Sequence, residues 1–136
     1  MPAEENKALI RQFNEAAFNR RDVEARERFL GPNVAINGQI VDPARSRQNF
    51  AGLLAAFPDF HRTMEDIIAE GDKVVARYTA TGTHRGEFMG TQATGRQVKF
   101  AWITIYRIAH GKVAEEWLLF DALGLMRQIG ATTSLE

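Results

Sequence analysis

Apolar residues Leu9, Ile10, Phe13, Ala16 and Ala17 recur three and four positions apart, which predicts an amphipathic helix over residues 3–19. Asp22 is placed to cap a second, shorter helix ending at Phe29-Leu30, with Gly31-Pro32 as its stop. Two short apolar runs, Val34 to Ile36 and Ile40-Val41, flank Asn37-Gly38, a dipeptide that favours a tight hairpin turn. Asp42-Pro43 then reads as the cap and first-turn proline of a third helix, which runs to Phe57 and stops before Pro58. Phe50, Leu53, Leu54 and Phe57 form its apolar stripe.

Beyond Pro58 the period changes from helical to alternating. Residues 60–69 and 73–84 read as strands around Gly71-Asp72, with Val74, Ala76, Tyr78 and Ala80 on one face. A glycine-spaced connection spans 82–95, and strands 97–108 and 112–121 meet at His110-Gly111. A short segment from Leu123 closes the chain. Helices gathered before long antiparallel strands predict an α+β domain, one cone-shaped unit over residues 1–136, with N-terminal helices packed on a curved, mainly antiparallel sheet. The mouth of such a cone is a natural ligand pocket.

Composition removes several function classes. Seventeen basic residues balance seventeen acidic ones, so no global field points to nucleic acid or an anionic membrane. The absence of cysteine excludes disulfides and thiolate chemistry and suits the cytoplasm. No signal-peptide pattern is visible, and the longest uncharged apolar stretch, 100–106, is far short of the ~20 residues of a membrane span. Three scattered histidines lack metal-ligand spacing, so no metal is expected. Ser46 and Ser134 stand outside any nucleophile-elbow context, and the glycines at 82, 86 and 90 do not lead from a strand into a helix as a phosphate loop would. Leu135-Glu136 reads as a cloning remnant.

Phe57-Pro58-Asp59, Gly71-Asp72-Lys73-Val74, Gly82-Thr83-His84-Arg85-Gly86, Thr94-Gly95-Arg96, Arg107-Ile108, Gly111-Lys112-Val113, Glu115, Trp117, Asp121, Gly124 and Gln128-Ile129-Gly130 follow one another in order over 57–130. Together they resemble the SnoaL-like polyketide cyclase (ester cyclase) family of the nuclear-transport-factor-2-like superfamily. The resemblance implies acid–base chemistry without cofactor or metal: an aspartate abstracts a proton alpha to a carbonyl, and the enolate closes a ring by aldol addition. A histidine and a glutamine on the neighbouring strand assist. Transferred by register, the aspartate position is Leu118, the histidine position Thr104 and the glutamine position Trp102, so all three are replaced. The resemblance also implies a homodimer or higher assembly through the open sheet face.

Alternation on the last strand puts Ala114, Glu116, Leu118 and Phe120 on one face, and Glu115, Trp117, Leu119 and Asp121 on the other. Glu116 is therefore the candidate replacement base, with Asp121 second. Each also has a plainer reading. Glu116 could be solvated or paired at the sheet edge, and Asp121 could cap the closing turn. His84 reads as a proton shuttle or, more plainly, as a structural hydrogen-bonder. Trp102, Thr104, Leu118, Phe100, Phe50 and Phe57 are the expected substrate-binding wall, for a hydrophobic cyclic or aromatic metabolite. Two rival functions remain open: a binder that has lost its acid–base groups, and an enzyme adding water to a ring such as an epoxide.

Overall fold

The computed structural model describes residues 2–131; Ser134 and the Leu135-Glu136 tail lie outside them. Helix α1 spans Pro2–Phe13, a π-helical segment spans Asn14–Asn19, and α2 spans Val23–Phe29. Strands β1 (Leu30–Ile36) and β2 (Gln39–Ile40) form the hairpin, and α3 covers Pro43–Ala56. Strands β3 (His61–Glu70), β4 (Lys73–Thr83), β5 (Gln97–Ala109) and β6 (Lys112–Phe120) follow, and α4 (Ala122–Gln128) closes the chain. The strands form one open, mixed sheet in the order β2-β1-β6-β5-β4-β3, in which only β1 with β6 is parallel. The α+β expectation is met.

Local chemistry accounts for most boundaries. Asp22 and Asp42 accept hydrogen bonds from the Ala25 and Arg45 amides at 3.1 and 3.3 Å, capping α2 and α3. Asn37 and Gly38 both have positive φ, as does the pair His110 and Gly111, matching the primed turns that right-twisted hairpins prefer. On β4 and β5 the alternation is clean. Val74, Ala76, Tyr78 and Ala80 face inward on β4, and Val98, Phe100, Trp102, Thr104, Tyr106 and Ile108 do so on β5, all buried.

Two expectations need correction. Residues 3–19 are not one α-helix, because the coil widens at Asn14. The wider π-helical turns let Asn14 and Asn19 grip the same residue: each amide donates to the Arg62 carbonyl, at 2.9 and 3.1 Å, while Asn14 Oδ1 and Asn19 Oδ1 accept from Arg62 Nε and N, both at 2.7 Å. The second helix does stop at Phe29, ahead of Gly31-Pro32, and the chain passes straight into a strand. β1 begins at Leu30, and Pro32 sits within a register break between Leu30 and Ala35, where no ladder bond is asked of it. Finally, Ala114 does not share the face of Glu116. A bulge between the pairs Arg107–Glu115 and Ile108–Val113 makes Ala114 the extra residue, so Val113 and Glu116 both face inward.

Candidate functional site

The main cavity, of about 730 Å³, lies between the inner sheet face, α3 and the β1–β2 hairpin. Aromatic rings form its wall: Phe18, Phe50, Phe88, Phe100, Trp102 and Phe120. They pack on one another, with Phe18 against Phe50 at 4.9 Å and Trp102 stacked on Phe120 at 5.4 Å between centroids. Such contacts hold the wall rigid and leave ring faces for a flat ligand. Leu118, half-buried, completes the apolar side. At the mouth stand the exposed polar residues Gln39, Asp42, Arg45 and Asn49.

Three buried polar side chains break the apolar lining: Glu116, Arg26 and Ser46. Glu116 is 5% exposed, and among the described residues no hydrogen bond or ion pair reaches its carboxylate. Burial raises its carboxyl above the usual glutamate value, while the positive charges of Arg26 and Arg62 oppose that shift without overcoming it. Arg26 donates through Nη2 to Ser46 Oγ at 2.9 Å and lies over the Phe50 ring, and its own value is pulled down by burial.

Behind the aromatic wall lies a second buried cation. Arg62 is 1% exposed and is held by Asn14 as described above. Its guanidinium lies over the rings of Phe18 at 3.5 Å and Tyr78 at 3.8 Å, within reach of Tyr106 Oη at 3.4 Å. The Tyr78 and Tyr106 hydroxyls meet at 2.6 Å, and burial raises both phenols. Tyr106 is also the cross-strand partner of Glu116, so this polar chain runs directly behind the carboxylate.

Of the residues expected at the site, Glu116, Trp102, Phe100, Leu118 and Phe50 are gathered in the cavity wall. The other three are not. Thr104 pairs with Leu118 in register but is fully buried beneath the wall, where its hydroxyl accepts from Trp102 Nε1 at 3.1 Å and orients the indole. Phe57 is buried one layer back, against the rings of His84 and of Phe88, which does line the cavity. Asp121 is exposed at the end of β6, and its Oδ1 accepts from Gly124 N at 2.9 Å to cap α4. A Cβ on Gly124 would collide with that carboxylate, which ties the two residues together as one structural device. His84 is likewise structural in its contacts: its Nδ1 accepts from the Thr94 amide at 3.3 Å. Among the described residues no three His, Asp or Glu side chains converge as a metal site would need, and no helix is long and apolar enough to cross a membrane.

Arg26, Ser46 and Arg62 were not expected. For Arg62 a signal was present: it alternates with Phe60, just before β3, and with Met64 within it, so its side chain shares the inward face. For Arg26 the sequence carried only a basic residue on a short helix.

The model of the SnoaL-like polyketide cyclase family matches residues 8–129, and the chain belongs to that family. Among solved structures it is similar to AclR from Streptomyces galilaeus, for which a hydroxylase activity has been proposed. The two are 33% identical, the match covers 98% of this chain and 90% of AclR, and the TM-score is 0.87. TsrD from Streptomyces laurentii is 30% identical, with 95% and 97% of the two chains covered and a TM-score of 0.85. IdmH from Streptomyces antibioticus, for which a polyketide cyclase activity has been proposed, is 29% identical, with 93% and 99% covered and a TM-score of 0.80. No curated protein sequence matches.

Proposed function

We propose that the cavity binds a cyclic or aromatic carbonyl compound and that Glu116 moves a proton at its α-carbon, without cofactor. The observation that carries this reading is an unpaired, buried carboxylate in the wall of an aromatic chamber. A carboxyl raised by burial is a better base near neutral pH than an exposed one. In the cyclisation form of the reaction, Glu116 takes the α-proton and the C–H electrons pass to the carbonyl as an enolate. The α-carbon then attacks a second carbonyl of the same molecule, a C–C bond forms, and the new alkoxide recovers the proton from Glu116. Isomerisation needs only the first step and return of the proton to another carbon. The polyketide cyclase activity proposed for IdmH supports the cyclisation form. A binder without catalysis is the second reading, favoured by Leu118, Thr104 and Trp102 at the positions where the family resemblance places the acid–base groups.

Both readings require the chamber, so Leu118→Trp tests their common ground. The indole would fill the space beside Trp102 and Phe120. A fused-ring ketone at 100 times its dissociation constant is expected to stabilise the parent by about 2.7 kcal/mol in thermal unfolding, and Leu118→Trp not at all. Equal stabilisation of both would place the ligand elsewhere.

The open face of the sheet is proposed to pair with a second copy of the chain. Ile103, Ile105, Trp117 and Leu119 are 42, 41, 47 and 73% exposed, and they neighbour one another as Ile103–Leu119 and Ile105–Trp117. A contiguous apolar patch on paired strands suits a twofold contact of like with like. Leu119→Lys is expected to shift the protein from dimer to monomer in analytical ultracentrifugation; a monomeric parent would contradict the assignment.

A further inference from the structure

The two buried charges in the cavity wall do not meet. Arg26 is 6% exposed and Glu116 5%, each feels the other's charge, and yet they form no ion pair. Arg26 Nη2 is engaged by Ser46, but Nη1 is buried and finds no hydrogen-bond partner among the described residues. The nearest carboxylate oxygen, Glu27 Oε1, is 3.9 Å away, beyond hydrogen-bonding distance, and is itself unpartnered. Leaving a buried guanidinium N–H unsatisfied is costly, and a hydrogen bond to a charged group is among the stronger ones available to a protein. Arg26 and Ser46 line the cavity together with Glu116, so a ligand oxygen bearing negative charge would meet the guanidinium there, and the carboxylate in the same wall is placed to hold the proton that made the oxygen negative.

Resting on the proposed cavity function, we infer that Arg26 with Ser46 is the oxyanion subsite of the cavity, selecting ligands that ionise to a delocalised enolate or phenolate. For a phenol the step balances within the site. The O–H bond breaks, its proton passes to the Glu116 carboxylate, and the oxygen keeps the electron pair and takes Arg26 as counter-cation. For a carbonyl compound the same subsite receives the enolate oxygen that appears when Glu116 removes the α-proton. Arg26 is then a specificity residue, since a ring system of the same shape that cannot ionise finds the aromatic wall but not the charge.

The test uses para-nitrophenol and its methyl ether, para-nitroanisole, which differ in the ability to ionise. The parent is expected to bind the phenol about tenfold or more tightly than the ether, the ratio a charge-assisted hydrogen bond supports. The bound phenol should show the absorption of its ionised form at a pH where the free probe is protonated. Arg26→Gln should bring the two affinities together and abolish the ionised spectrum, while leaving ether binding in place. Arg26→Lys should recover part of the preference. Circular dichroism establishes that each variant is folded. Should Arg26→Gln fail to fold, Ser46→Ala decides: a reduced preference supports the subsite and an unchanged one overturns it. A parent that binds phenol and ether alike, or a folded Arg26→Gln that keeps the ionised spectrum, overturns the subsite and leaves the cavity reading standing. A parent that binds neither probe overturns both.

Discussion

Glu116→Gln is expected to lower proton abstraction from a bound ketone by roughly 10²–10⁴-fold, the usual contribution of a positioned general base. The same change should stabilise the protein near neutral pH. The folded-state value lies above the glutamate reference of 4.5, so in the interval between the two the folded state binds more protons than the unfolded chain. Stability from this group is therefore fully present below the reference value and is lost as pH rises through the folded one. Glutamine has no such dependence. Denaturant unfolding of parent and variant should coincide in acid below the carboxylate range and diverge as pH rises, with the variant the more stable. A variant less stable at every pH would mean that Glu116 is held by Arg26 and Arg62 rather than strained by burial.

The largest structural effect is expected at Arg62. Methionine there keeps an unbranched chain between Phe18 and Tyr78, but it removes the donor to Asn14 Oδ1 and the contact to Tyr106 Oη. Leaving the buried Asn14 Oδ1 without its donor costs about 1–3 kcal/mol, and the two lost cation–π contacts add about 0.5–2 kcal/mol each. Domains of this size are commonly stable by only ~5–15 kcal/mol, so Arg62→Met should approach the limit of folding. Arg62→Lys should rescue little, because an ammonium cannot hydrogen-bond Asn14 and lie flat on two rings at once. Urea unfolding measures both. Losses below ~1 kcal/mol would show that the π-helical clamp carries no structural weight. In folded Arg62→Met, Glu116 loses one of its two opposing charges and its carboxyl should rise further.

Most of the fold was legible because its signals are local. Asp22 and Asp42 cap, Asn37-Gly38 and His110-Gly111 turn, and β4 and β5 alternate without interruption. What escaped depended on partners distant in the chain. The π-helical segment exists because Asn14 and Asn19 reach a residue more than forty positions away, and hydrophobic spacing alone does not separate that coil from an α-helix. The Ala114 bulge turned a strict alternation into a wrong assignment for Ala114, while leaving Glu116 on the inner face.

The site was legible in a different sense. The motif residues that point to the family are mostly structural. Asp121 caps α4 and Gln128 bonds the Lys99 backbone through both ends of its amide, while Asp59 receives the Thr83 amide and hydroxyl at 2.7 Å each. They identify the scaffold and are silent about the chamber. The chamber's polar groups come from Arg26, Ser46 and Glu116, brought together from three separate elements by packing that no short motif encodes.

The central claim is that Glu116 is a buried base exposed to the ligand. Carboxyl-carbon NMR of glutamate-labelled protein, titrated with and without a fused-ring ketone, tests it most directly. One glutamate resonance should titrate above the normal glutamate range, respond to the ligand, and vanish in Glu116→Gln. If every glutamate titrates at its ordinary value and none responds to a ligand that demonstrably binds, Glu116 is not the base of this cavity.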